Sequence, residues 1–189
     1  MKNLFLLFLI FSASTLFAQD QEIIKRDFQT IIKYTSEMKI DDVLNMTYPQ
    51  LFTVVPKAQM SAMAKGMLSG MGIKMIYEQV PLNLKMTPVK TLSKSSICLS
   101  KYNQSMIMEA ADSSLLEMLT YAKMKDNIIE KLDANKIRIK GSSYLLAIKD
   151  SFTKNTWKYL RYDDENAEAN SKILSKEILT AVEKMKTSL

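Results

Sequence analysis

The sequence predicts an α+β fold, with N-terminal helices packed on an antiparallel sheet and a helix closing the chain. Three observations predict it. Apolar residues recur at helical spacing from Gln21 to Met38, KIRIKG at 136–141 alternates strictly, and helical spacing returns after Ile173. Taken in order, the elements begin with a leader. MKNLFLLFLIFSASTLFAQ has a lysine, an unbroken apolar run from Leu4 to Phe11, and small residues running up to Ala18-Gln19. Residues 1–18 therefore read as a signal peptide, too short to span a bilayer, which needs about 20 apolar residues. Residues 19–189 read as a single domain, exported to the periplasm or beyond, and not lipid-anchored because no cysteine follows the apolar run.

Ile24, Phe28, Ile31 and Met38 then give one continuous helical face. Asp41 and Asp42 offer an N-cap for a short helix, which Tyr48-Pro49 terminates. Pro56 suits the first turn of the next helix, and Gly70 and Gly72 end it. IKMIYEQV reads as a strand. Val80, Leu82, Leu84 and Met86 alternate as a half-buried strand, and Ile97 and Leu99 alternate in the next. Lys101–Gln104 reads as a hairpin connection, with the sheet resuming at Met106–Glu109. Asp112-Ser113-Ser114 caps a helix or helix pair covering Leu115–Leu132. Gly141 is expected to break the KIRIKG strand, after which Ser143–Lys149 and Thr156–Tyr162 form strands joined by DSFTKN. Asp163–Asn170 reads as an acidic loop, and Ile173–Met185 as the closing helix.

Composition excludes several chemistries. The 189 residues contain no histidine, which rules out Ser-His-Asp and Cys-His catalysis and the commonest metal ligand. The four glycines form neither GxGxxG nor a P-loop, and a single cysteine, Cys98, cannot form an internal disulfide. No cofactor is expected. The net charge is +6, falling to +5 without Lys2, and an exported location makes nucleic acid an unexpected partner.

Methionines at 60, 63, 67, 71 and 75 invite a soft-metal reading, because thioethers suit Cu(I). The glycines cut that ladder to Met60, Met63 and Met67, with Met71 in a turn and Met75 on a strand. Fourteen methionines in the whole chain point instead to methionine as a general filler of core or pocket wall. Lys136, Arg138 and Lys140 form a basic stripe on one strand face, either solubilising or anion-binding.

The order of elements resembles the NTF2-like (cystatin-like) superfamily, in particular its small exported bacterial members. The resembling segments are MKIDDVLNMTYPQLFTVVPKAQM, then KIRIKGSSYLLAIKD with NTWKYLRY, then ILSKEIL. The resemblance implies a strongly curved antiparallel sheet wrapped around helices, forming a cone with an apolar cavity. That fold hosts enzymes, adaptors and scaffolds alike. The Tyr/Asp arrangement of its isomerases and the His-Asp pair of its dehydratases find no match, so no catalytic residue carries over. The leading expectation is a non-enzymatic protein binding an apolar or amphipathic small molecule, or a protein partner, with a homodimer among the options. Met60, Met63, Met67, Tyr77, Tyr144 and Trp157 are the expected ligand-binding residues. The alternatives are a cavity enzyme using carboxylate and tyrosine chemistry, with Glu78 and Asp150 as candidates, and an anionic-surface module built on Lys136, Arg138 and Lys140.

Overall fold

The computed structural model describes residues 2–70, 72–121 and 127–189, with side chains from residue 19 onward save 70, 119 and 121. Seven strands form one antiparallel, unclosed sheet in the order β1-β4-β6-β5, with β2 and β3 added to β4 and β7 added to β6. Its spine is two long paired strands, β4 (Ser95–Ala110) and β6 (Lys136–Asp150). Among the described residues no helix is long and apolar enough to cross a membrane.

Helix α1 (Lys2–Ser36) contains the residues read as leader and continues through the predicted amphipathic segment. Ile24, Phe28 and Ile31 are buried against Cys98, Tyr102, Leu145, Ala147 and Tyr159 on one sheet face. The helix ends where Met38 takes a φ of 56°. Asp20 fastens the start of this packed section. Its carboxylate accepts from Lys149 Nζ at 2.9 Å and from Trp157 Nε1 at 2.8 Å, and the Lys149 ammonium lies 4.8 Å from the Trp157 ring centre. Hydrogen bonds to a charged, partly buried group contribute about 1.5–3 kcal/mol. Asp20→Ala is therefore expected to lower unfolding stability by about that amount and to shift Trp157 fluorescence, both read in one urea titration.

Helix α2 (Ile40–Met46) follows, then α3 (Leu51–Val54) and α4 (Lys57–Gly70). Asp41 and Asp42 lie inside the first turn of α2 rather than at its cap, which is Lys39, so they act on the helix dipole. Pro56 precedes α4, its carbonyl accepting from Met60 N–H at 3.0 Å. Gly72 has a φ of +59°, and a Cβ there would approach the Ala111 Cβ to 3.1 Å. That conformation turns the chain from α4 into β1 (Ile73–Tyr77). Met71 lies outside the described residues.

Several expectations are corrected. Val80–Met86 keeps its alternating exposure but is not a continuous strand; only β2 (Lys85–Met86) is regular, because Pro81 lacks an N–H and Asn83 has a φ of 44°. The short β3 (Lys90–Thr91) also pairs with β4. Lys101–Gln104 is the middle of β4, not a hairpin; Lys101 sits over the Tyr144 ring and Tyr102 is buried under α1. The helix expected through Leu132 stops early as α5 (Ser113–Tyr121). Asn127–Asp133 forms edge strand β5, leaving Ile128 70% exposed, and residues 122–126 lie outside the description. Gly141 does not break β6. It pairs with Gln104 on one side and Asn127 on the other, where both ladders satisfy its backbone.

The chain returns through β7 (Lys158–Tyr162), α6 (Ala167–Ile173), which occupies part of the expected acidic loop, and α7 (Lys176–Lys186). Ser175 caps α7 by accepting from Ile178 N–H. Ile178, Val182 and Met185 cover the second sheet face, over Ile97, Leu99, Tyr144, Leu146 and Ile148. Helices on both faces explain why YLLAI in β6 is apolar without a break.

Candidate functional site

The α1 face of the sheet carries the site. A hollow of about 260 Å³ lies between the end of α1 (Tyr34, Thr35) with Met38 just beyond it, α2 (Val43, Leu44), α4 (Ala64, Met67, Leu68) and β1 (Ile73, Met75, Tyr77), with Met108 of β4. Four thioethers therefore line one apolar space, and methionine's flexibility lets such a wall adapt to irregular occupants. A second hollow, about 360 Å³, continues along α1 past Ile31 and Ile32 to Leu82 and Tyr102, and there meets Glu78, Gln79, Asn103, Gln104 and Ser105. Thr35 and Tyr77 line both. The pair thus grades from apolar to polar, with Tyr77 at the junction. Burial pushes the Tyr77 hydroxyl above its ordinary value, so it stays protonated and able to donate at neutral pH.

The six expected ligand-binding residues do not converge. Met67 and Tyr77 line the hollow. Met60 is half-buried on α4, and Met63, 56% exposed, lines neither hollow. Tyr144 lies on the opposite face, among α7 residues, with Lys101 and Lys186 over its ring. Trp157 is on the α1 face but is packed into a filled cluster and tied to Asp20. Met75, which shares no helix face with Met67, nonetheless meets it across the hollow because Gly72 folds β1 back under α4.

The basic stripe lies on the α7 face and is matched by acids. Lys136 pairs with Glu109 at 3.1 Å, Arg138 with Glu78 at 2.9 Å and Glu130 at 3.1 Å, and Lys140 with Glu130 at 3.1 Å. It is an internally neutralised ladder rather than a row of available cations. Glu78 also accepts from Ser105, and the Arg138 guanidinium holds its carboxyl below the usual range. A carboxylate so held has no proton to give at neutral pH. Asp150 accepts from Tyr48 Oη at 2.7 Å and from Thr153 N–H at 3.0 Å, which closes the β6–β7 turn. Both alternative acid–base candidates are thus committed to structure. Burial pushes the Cys98 thiol up to about 11, which keeps it unreactive.

Sequence reasoning missed a polar group on the same face. Direct pairing sets Tyr102 opposite Ser143, and Arg161 opposite Leu145 in the next row. Arg161 Nη2 donates to Ser143 Oγ at 3.4 Å. In the row of Gly141, the side-chain oxygen of Asn127 is buried without a partner among the described residues. The signal was phase. Arg161 is four residues from Trp157, expected to line the site, so the alternation that placed Trp157 placed a cation on the same face. No protein-family model matches the chain, and no curated protein matches it.

Proposed function

We propose that this is an exported, non-enzymatic binding protein of NTF2-like type, whose curved sheet and helices form a cone holding an apolar or amphipathic small molecule. The observation that carries the reading is the methionine-lined hollow under α2 and α4, adjoining a second hollow with polar groups at its far side. Ligand sites commonly occupy about 300–1,000 Å³, apolar with a few polar groups that fix orientation, and the adjoining pair has that character. The leader and the resemblance to small exported members of that superfamily support the location.

A matched pair of variants on α4 tests it. Met63 and Met67 are 56% and 52% exposed, but only Met67 lines the hollow. Displacement of a fluorescent naphthylamine reporter by decanol measures occupancy. Met67→Glu is expected to weaken binding about tenfold or more, since it sets a charge in the apolar wall of the hollow, whereas Met63→Glu leaves it within about twofold. Equal effects of the two variants, or no binding by the parent protein, refute the proposal.

A further inference from the structure

We propose that Arg161, with Ser143, Tyr102 and Tyr77, holds the carboxylate of an amphiphile whose hydrocarbon chain fills the methionine-lined hollow. The inference rests on the small-molecule reading above and adds the chemistry of the ligand's head.

Arg161 differs from the three cations of the basic stripe. Lys136, Arg138 and Lys140 on the far face each meet a carboxylate. Arg161 has none within ion-pair distance among the described residues, only one long hydrogen bond to Ser143. It stands on the face occupied by α1, in phase with buried Tyr159, yet its own side chain is exposed. A cation on an otherwise covered face, lacking an internal partner, has donors to offer an incoming anion.

The surroundings suit one planar anion. Ser143, which accepts from Arg161, and Tyr102 are buried hydroxyl residues directly opposite one another, and Tyr102 and Tyr77 line the second hollow together. Tyr77 also lines the methionine hollow, which connects the charged group to the apolar space. A guanidinium fork meets a carboxylate through two parallel hydrogen bonds, and neighbouring hydroxyls add donors without adding charge. A phosphate monoester, carrying about two negative charges, calls for a second cation. The other cation beside the hollow, Lys39, is engaged by Glu37 at 2.8 Å.

Calorimetry of the full chain with decanoate, decanol and decyl phosphate tests the assignment. Wild-type protein is expected to bind decanoate more tightly than decanol or decyl phosphate. Arg161→Gln is expected to weaken decanoate about tenfold or more while leaving decanol within about twofold. Arg161→Lys should recover part of the loss, and Tyr77→Phe, which keeps the ring as a wall, should also weaken decanoate selectively. Because Arg161 is exposed, thermal unfolding of its variants should match wild type. Decanol binding with decanoate unaffected by Arg161→Gln overturns the carboxylate site and leaves the apolar hollow standing. Tighter decyl phosphate overturns the choice of head group. Failure of both decanol and decanoate to bind wild type overturns this inference together with the proposed function.

Discussion

Phe28→Ala is expected to remove about 3–5 kcal/mol of unfolding stability, a large share of the roughly 5–15 kcal/mol that holds a domain together. Phe28 is 0% exposed and meets the Tyr102 ring edge-to-face, with centroids 5.0 Å apart and planes at 74°. It sits midway along the packed part of α1, between Ile24 and Ile31, over Cys98, Leu145 and Ala147. Truncation loses the ring's burial and its aromatic pairing, and the long paired strands below have little freedom to collapse into the space. Tyr102 also borders the second hollow, so the variant should loosen the candidate site as well as the core. Phe152 is the internal control. It is 60% exposed in the β6–β7 turn, and Phe152→Ala should change stability by less than about 0.5 kcal/mol. Urea midpoints of the two variants decide the matter; a loss under about 1.5 kcal/mol at Phe28 would mean that α1 does not pack on this face.

The periodicity that made α1 readable is the same one that buries Phe28. A helix with one wet side writes its buried face into the sequence, and Ile24, Phe28 and Ile31 follow it. β6 was readable as a strand but not as to face. Tyr144 through Ile148 is apolar on both sides because α1 and α7 cover opposite faces, so alternation carried no information about which side Tyr144 joins. Lys101–Gln104 looked like a turn because its letters are polar. Their polarity instead reflects a hollow at Asn103 and Gln104, and polar strand interiors next to cavities cannot be told from loops by composition. β5 misled differently, since Ile128, Ile129 and Leu132 fit a helix face as well as they fit an edge strand. The meeting of Met67 with Met75 was out of reach for another reason. It depends on a chain reversal at Gly72 that brings two elements together, and no local pattern encodes that distance. Arg161, by contrast, was legible by phase, since it alternates with Tyr159 and Trp157 along one strand face.

Raising the pH from 9 to 11 is expected to destabilise the fold by about 4 kcal/mol through three tyrosines that fasten segments on both faces of the sheet. Tyr159 on β7 donates to Asp27 on α1 at 2.8 Å, Tyr48 after α2 donates to Asp150 at 2.7 Å, and Tyr162 donates to Glu183 on α7 at 2.8 Å. In each, burial first and the accepting carboxylate second raise the hydroxyl well above its ordinary value of 10.0. The folded state therefore keeps protons that the unfolded chain releases above pH 10. Stability from these groups is complete below that value and declines as pH rises past it, by about 1.4 kcal/mol per group at pH 11. Tyr77 and Tyr102 are raised by burial and act in the same direction, as does Lys186, raised by Asp164 and Glu183 despite its own burial. Urea midpoints at the two pH values measure the loss, and Tyr159→Phe should flatten the slope by about one third of the three-tyrosine effect, because phenylalanine has no proton to lose. A slope unchanged by that variant would separate the Tyr159–Asp27 bond from alkaline stability.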